Sequence, residues 1–394
     1  MIGISKLYCG TVEPSDALRY NRHSKDLPSH LLQFSEDKKP VVVWNCTRRC
    51  NLRCVHCYSK SRDLDYSGEL DGDEARRMIE DLAEFGAPVL LFSGGEPTIR
   101  PDMPELAKFA VGLGMRAVIS TNGTLIDDEK AALFKEIGLS YVGVSLDGMR
   151  ETNDKFRGLP GAFDRALEGI ENCKKYGIKV GLRFTINKRN AQDIDGIFDL
   201  LEERDIPRIC FYHLVYAGRG TKLMNEDLSN EESRRVVDLI IDRTADMHSR
   251  GIDKEVLTVD NHCDGPYLYM RMLREGNPRA AGVMELLEMN GGNSSGIGIG
   301  CISWDGAVHA DQFWRHYSFG NIRERPFSEI WTDRSDPLMA KLKEKKKHVK
   351  GRCAKCRFLD VCAGNFRVRA EAVYDDAWAQ EPACYLTDEE IGLE

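Results

Sequence analysis

Short apolar runs alternate with longer stretches of helical spacing from residue 41 to about residue 216. The runs 41–45, 88–93, 115–121, 141–146, 179–186 and 208–215 are apolar and rich in β-branched residues, which predicts six buried strands. Between them apolar residues recur every three to four positions. In 71–85 they are Ala75, Met78, Ile79 and Leu82, and the same spacing marks 103–113, 127–137, 162–176 and 191–203 as amphipathic helices. Asp71, Pro101 and Ala191 stand at helix starts; Gly86, Gly114, Gly138 and Gly177 stand just past helix ends. Strand and helix in strict alternation predict an α/β fold with a parallel sheet over 41–225. Periodicity leaves open whether it closes as a partial barrel or stays a doubly wound sheet.

The pattern then changes. An amphipathic helix is expected over 228–250, followed by a helical connecting region to residue 289 without strand alternation, including a helix at 266–273. The run Gly291-Gly292-Asn293-Ser294-Ser295-Gly296 reads as a junction. Beyond it a hairpin turning at Asp305-Gly306, a helix over 327–347 and a cysteine-rich tail define a smaller domain at 290–394. Residues 1–40 read as an N-terminal extension packed on the core.

Composition narrows the class of protein. With 394 residues, 42% hydrophobic and 30% charged, the chain is neither disordered nor collagen-like. No apolar run is long enough for a membrane helix, and the first 20 residues lack a signal-peptide pattern, so a cytoplasmic, membrane-free protein is expected. The net charge of −8 argues against a nucleic-acid partner. Thirteen cysteines are an odd number, so no complete disulfide framework is possible. Cys9, Cys46, Cys173, Cys210 and Cys263 are isolated and suit simple packing. The remaining ones are clustered.

Cys50, Cys54 and Cys57 form a C-x3-C-x2-C loop directly after the first core strand, at the strand end where α/β barrels build active sites. Three thiolates on a four-iron cluster leave one iron open for a small molecule. Zinc with His56 as a fourth ligand is the alternative. In the tail, Cys353, Cys356, Cys362 and Cys384 supply four thiolates, enough to close a cubane or a structural zinc site. Segments 212–220 and 309–317 mix aromatics, histidines and arginines, a lining that suits a large flat substrate bearing carboxylates or an ordinary core. The basic run 341–352 reads as a solvated helix face or a dock for an acidic electron donor such as flavodoxin or ferredoxin.

The cysteine loop followed by Tyr58 resembles the signature of the radical S-adenosylmethionine (SAM) enzymes. So do Ser93-Gly94-Gly95-Glu96-Pro97, Ser120-Thr121-Asn122-Gly123 and Gly143-Val144-Ser145-Leu146-Asp147-Gly148 at the next three strand ends, and Arg183 in the fifth strand. The resemblance implies a partial six-unit radical SAM barrel. It implies a reducing [4Fe-4S] cluster on Cys50, Cys54 and Cys57, and SAM held by Tyr58, Gly94, Gly95, Glu96, Pro97, Ser120, Asn122, Ser145 and Arg183. In that reading Glu96 accepts from an ammonium group, Ser120 and Asn122 reach ribose hydroxyls, and Arg183 grips a carboxylate. No protein acid or base is needed for hydrogen abstraction. The tail resembles the SPASM-type extension, with Asp311 and Phe366 where that pattern has cysteine. This implies one auxiliary [4Fe-4S] cluster, on Cys353, Cys356, Cys362 and Cys384, and leaves Cys301 open between ligation and packing. Segments 4–10, 43–45 and 212–220 resemble the tetrapyrrole branch of the family. The implied reaction is removal of two acetate side chains from 12,18-didecarboxysiroheme to give Fe-coproporphyrin III, or propionate removal in haem d1 biosynthesis. A peptide-modifying maturase and a non-catalytic iron–sulfur or zinc protein are the other readings.

Overall fold

The computed structural model describes residues 1–11 and 39–393; of the expected N-terminal extension, 12–38 lie outside the described residues. The ten strands are β1 (Ile2–Gly3), β2 (Val41–Thr47), β3 (Val89–Gly94), β4 (Arg116–Thr121), β5 (Tyr141–Ser145), β6 (Val180–Ile186), β7 (Arg208–His213), β8 (Glu255–Val259), β9 (Ile299–Ile302) and β10 (Val308–His309). The chain divides into two compact units. A cysteine-loop unit takes its described residues from His23–Leu182 and Ser295–Lys343; a tail unit takes them from Met1–Arg22, Arg183–Ser294 and Glu344–Glu394.

In the cysteine-loop unit the strand order is β5-β4-β3-β2-β9-β10. Strands β2 to β5 are parallel neighbours, with Val42 opposite Leu90, Leu90 opposite Ala117 and Val118 opposite Tyr141. Parallel pairing puts all their C-terminal ends on one edge, so the loops after them share one rim. The expected hairpin forms, with Ile302 opposite Val308. Its first strand also pairs parallel with β2, from Val41 opposite Ile299 to Trp44 opposite Ile302, which extends the core sheet. Helix Gly72–Phe85 buries Ala75, Met78, Ile79 and Leu82, opens with a reciprocal Asp71–Glu74 capping box and stops at Gly86 in the left-handed region. The single helix expected over 327–347 breaks into Phe327–Thr332, Pro337–Lys343 and the turn Lys345–Lys347. Pro337 has no N–H for a preceding carbonyl, and the Asp336 carboxylate caps Leu338 and Met339.

In the tail unit the order is β1-β8-β7-β6. Strand β8 lies where no strand was expected; it pairs parallel with β7 and antiparallel with β1. Only five residues long, with Val256 to Val259 all buried, it shows no alternation for a pattern reading to catch. Short helices Gly351–Lys355, Leu359–Cys362, Arg367–Tyr374 and Asp388–Ile391 build the cysteine-rich end. The basic run is not one solvated face. Lys345 is buried and donates to the Asn293 carbonyl and side chain at 2.7 and 2.8 Å, and the Lys343 ammonium sits 4.4 Å over the Trp331 ring. No helix among the described residues is long and apolar enough to cross a membrane.

One ion pair joins distant parts of the cysteine-loop unit: the Arg323 fork grips both Glu74 oxygens at 2.6 and 2.8 Å. These bonds, with the Asp71 amide, hold the Glu74 carboxyl down to about 2 from 4.5. A depressed folded pKa contributes stability that is present above the unfolded value and lost as pH falls through the folded one. The stability gap between the parent and Glu74→Gln, measured by denaturant melts, is therefore expected to shrink steadily from about pH 5 to about pH 2. A gap independent of pH contradicts this pairing.

Candidate active site

The loop carrying Cys50, Cys54 and Cys57 is laced to the ends of two strands by backbone bonds. Gly95 N–H donates to the Thr47 carbonyl at 2.7 Å and Glu96 N–H to the Arg49 carbonyl at 2.8 Å. Gly94 has φ +132°, and a Cβ on either glycine would overlap a loop carbonyl oxygen, Thr47 for Gly94 and Arg49 for Gly95. The glycines thus admit the cysteine loop itself. At its other end the loop takes bonds from Val55 N–H to the Phe156 carbonyl at 3.0 Å and from Arg53 N–H to the Arg157 carbonyl at 3.3 Å.

Glu96 is fully buried. One carboxylate oxygen accepts from Thr98 N–H (3.1 Å), Thr98 Oγ1 (2.7 Å) and Thr121 Oγ1 (2.7 Å); the other accepts from Asn122 N–H (2.8 Å). Burial pushes its carboxyl up and these donors pull it back. The side chain locks the end of β3, where Pro97 opens a short helical turn, to the end of β4. Asn122 continues the lacing, donating to Asn51 Oδ1 at 2.8 Å and accepting from Thr124 N–H and Oγ1. Asn51, between Cys50 and Cys54, carried no signal in the sequence. Ser120 and Ser145 stand half-buried at the ends of β4 and β5. Tyr58 donates to Asn45 Oδ1 at 2.8 Å, lies 3.1 Å from Ser93 Oγ and meets Phe313 edge-on. Asn45 in turn donates to Cys301 Sγ at 3.3 Å, which places Cys301 in the core beside β2. Asp311, buried, caps the turn that follows it by accepting from Phe313 and Trp314 N–H. Arg183 belongs to the tail unit, its guanidinium 4.6 Å over the Tyr212 ring.

Two further residues reach the loop. Arg157 is buried, ion-paired to the buried Asp147, and its Nη1 donates to Cys54 Sγ at 3.6 Å. Asp147 also faces His56 Nε2 at 3.5 Å, while the His56 ring stacks on Phe156. Burial, then Glu96, pushes the Cys50 thiol up; burial pushes Cys54 up against the pull of Arg157. Two thiols held this dry, Cys50 and Cys54, need a cation to become thiolates, which an iron cluster provides.

In the tail unit Cys353, Cys356, Cys362 and Cys384 line one small cavity, together with Cys263 and Arg352. Among the described residues no three Cys, His, Asp or Glu side chains converge on a single-ion position. Backbone N–H groups of Glu381 and Phe358 donate to Cys353 Sγ (3.2 Å) and Cys356 Sγ (3.3 Å). The Cys384 thiol is drawn down, first by a hydrogen bond with Cys263. A ring of sulfurs with N–H···S donors is chemistry suited to an iron–sulfur cluster. Cys263, expected only to pack, supplies a fifth sulfur. Phe366 is buried and stacks on His262.

Residues 44–201 match the radical SAM superfamily, and 298–357 match the SPASM iron–sulfur cluster-binding domain. Fe-coproporphyrin III synthase of Methanosarcina barkeri is 73% identical over 395 residues, covering 100% of this chain and 99% of that protein. The chain belongs to the radical SAM family. Pre-heme d1 synthase of Dinoroseobacter shibae is 44% identical, covering 90% of this chain and 88% of that one. Among solved structures, Streptococcus suis SuiB bound to its precursor peptide aligns with a TM-score of 0.71 at 18% identity, covering 91% and 79% of the two chains. Native anSMEcpe with bound AdoMet aligns at 0.68 and 20%, covering 90% and 96%. Both share the fold. Family membership brings SAM and a [4Fe-4S] cluster as cofactors of this radical SAM enzyme, and the SPASM match brings auxiliary iron–sulfur.

The lacing leaves no room for a side chain at Gly95. Gly95→Ala is expected to cost about 2 kcal/mol or more, because its methyl displaces the Arg49 carbonyl. Melting of the apo-protein and iron content after reconstitution should both fall; an unchanged melt with full iron contradicts the close packing.

Proposed function

We propose that this radical SAM enzyme removes the two acetate side chains of 12,18-didecarboxysiroheme, giving Fe-coproporphyrin III. The observation that carries this reading is 73% identity across the whole chain to Fe-coproporphyrin III synthase, against 44% for pre-heme d1 synthase. Both relatives are named for haem-type tetrapyrroles, which favours an iron tetrapyrrole over a peptide as substrate.

Cys50, Cys54 and Cys57 hold the reducing cluster, and Cys353, Cys356, Cys362 and Cys384 hold one auxiliary cluster. Tyr58, Gly94, Gly95, Glu96, Pro97, Ser120, Asn122 and Ser145 shape the SAM site. Bound there, cluster and SAM supply a hydrogen-abstracting radical by one-electron reduction. The chain's own residues position and insulate. Glu96, Asn51 and Asn122 fix the loop between two strand ends, so its thiols are arranged before iron arrives. Arg157 brings a positive charge and an N–H to Cys54, which eases addition of an electron there, while Asp147 keeps the guanidinium compensated. An acidic donor such as flavodoxin or ferredoxin, in the cytoplasm, delivers the electron.

Anaerobically reconstituted protein should carry about eight irons, two cubanes' worth. Incubated with didecarboxysiroheme, SAM and reductant, it should give a product lighter by two acetate groups, and Cys54→Ala should form no 5′-deoxyadenosine. Loss of propionate groups instead would move the protein to the haem d1 reaction, and an unchanged tetrapyrrole would overturn the reading.

A further inference from the structure

Arg48 precedes the first cluster cysteine by two residues, and Arg315 follows the β9–β10 hairpin; both lie in the cysteine-loop unit. Their guanidiniums share one ring. Arg315 sits 4.1 Å from the Trp304 centroid, and Arg48 sits 4.9 Å from it and 4.7 Å from that of Tyr66. Arg48 lies on the chain that leads into the cluster loop and Arg315 shares its ring, so the pair stands beside that loop.

Several other arginines of this unit have acids. Arg49 pairs with Asp63 and Asp65, Arg100 with Asp102, and Arg323 with Glu74. Among the described residues neither Arg48 nor Arg315 has a carboxylate within ion-pair distance, and Nε of each is buried without a hydrogen-bond acceptor. Two acids stand near in sequence and are engaged elsewhere. One Glu69 oxygen accepts from Thr47 Oγ1 and Arg48 N–H, and Asp311 Oδ1 caps the turn before Arg315. Two like charges on one indole, with buried donors lacking acceptors, are an unfavourable arrangement that an incoming anion relieves. A guanidinium offers a planar fork matched to a carboxylate, and the buried Trp304 ring gathers the two forks at one place.

We propose that Arg48 and Arg315, gathered over the Trp304 ring, form a subsite for side-chain carboxylates of the tetrapyrrole. The subsite deepens the proposed function and rests on it. SAM also carries a carboxylate, so the test separates the two sources. Reconstituted holoenzyme is titrated anaerobically with didecarboxysiroheme and with its methyl ester, followed by absorbance; SAM affinity is measured separately. Wild type should bind the acid at least about tenfold more tightly than the ester. Arg48→Gln and Arg315→Gln should each weaken acid binding by about tenfold while leaving ester binding and SAM affinity unchanged, and Arg315→Lys should recover part of the loss. Equal affinity of wild type for acid and ester overturns the subsite without any variant, so a poorly folding variant does not shelter it. Variants that bind the acid like wild type, or that lose SAM affinity instead, also overturn it. Wild type that binds neither tetrapyrrole form overturns the proposed function itself, a distinct result.

Discussion

The site depends on the pairing of the cysteine loop with Gly95 and Glu96. Two short backbone bonds hold the loop against the end of β3, and they form only because neither glycine has a side chain. The buried Glu96 carboxylate then engages Thr98, Thr121 and Asn122, so β3, β4 and the loop become one piece. Buried thiols carry a desolvation cost that only bound iron offsets. A loop arranged in advance avoids adding an ordering cost to that one. This explains why an acidic residue is kept at the centre of a site that must hold thiolates: its charge is compensated by donors on the strand ends rather than by the cluster.

The six core strands were legible because each is a short apolar run, and the parallel pairing of β2 to β5 places their ends on one rim. The residue types at that rim were legible too, but not the contacts they make with one another. Gly94, Gly95 and Asn122 meet the loop that bears the cysteines, and the Glu96 carboxylate meets Thr98, Thr121 and Asn122. Sequence spacing shows that such residues share an end of the sheet; it does not show which partner each one meets. Arg157 was invisible for a related reason. It lies 103 positions from Cys54, at the end of a helix, and only the tertiary fold brings its guanidinium to that sulfur.

The tail shows the same limit. Four cysteines were marked by spacing, and the fold gathers them around one cavity. Cys263 was set aside as isolated, since no neighbour in sequence is a cysteine, yet it stands in the same cavity at the start of helix Asp264–Arg274. Strand β8, just before it, escaped detection because five buried residues have no period. Asp311 and Phe366, which interrupt the seven-cysteine pattern, are a turn cap and a buried stacking partner.

The lattice of hydrogen bonds around Gly95, Glu96 and Asn122, and not the iron, arranges the cysteine loop. Hydrogen exchange of the apo-protein tests it most directly, residue by residue at the amides of Gly95, Glu96 and Asn122. The account predicts protection comparable to the middle of β3 and β4 with no iron present. Free exchange at these amides in apo-protein, with protection gained only on cluster assembly, would contradict it.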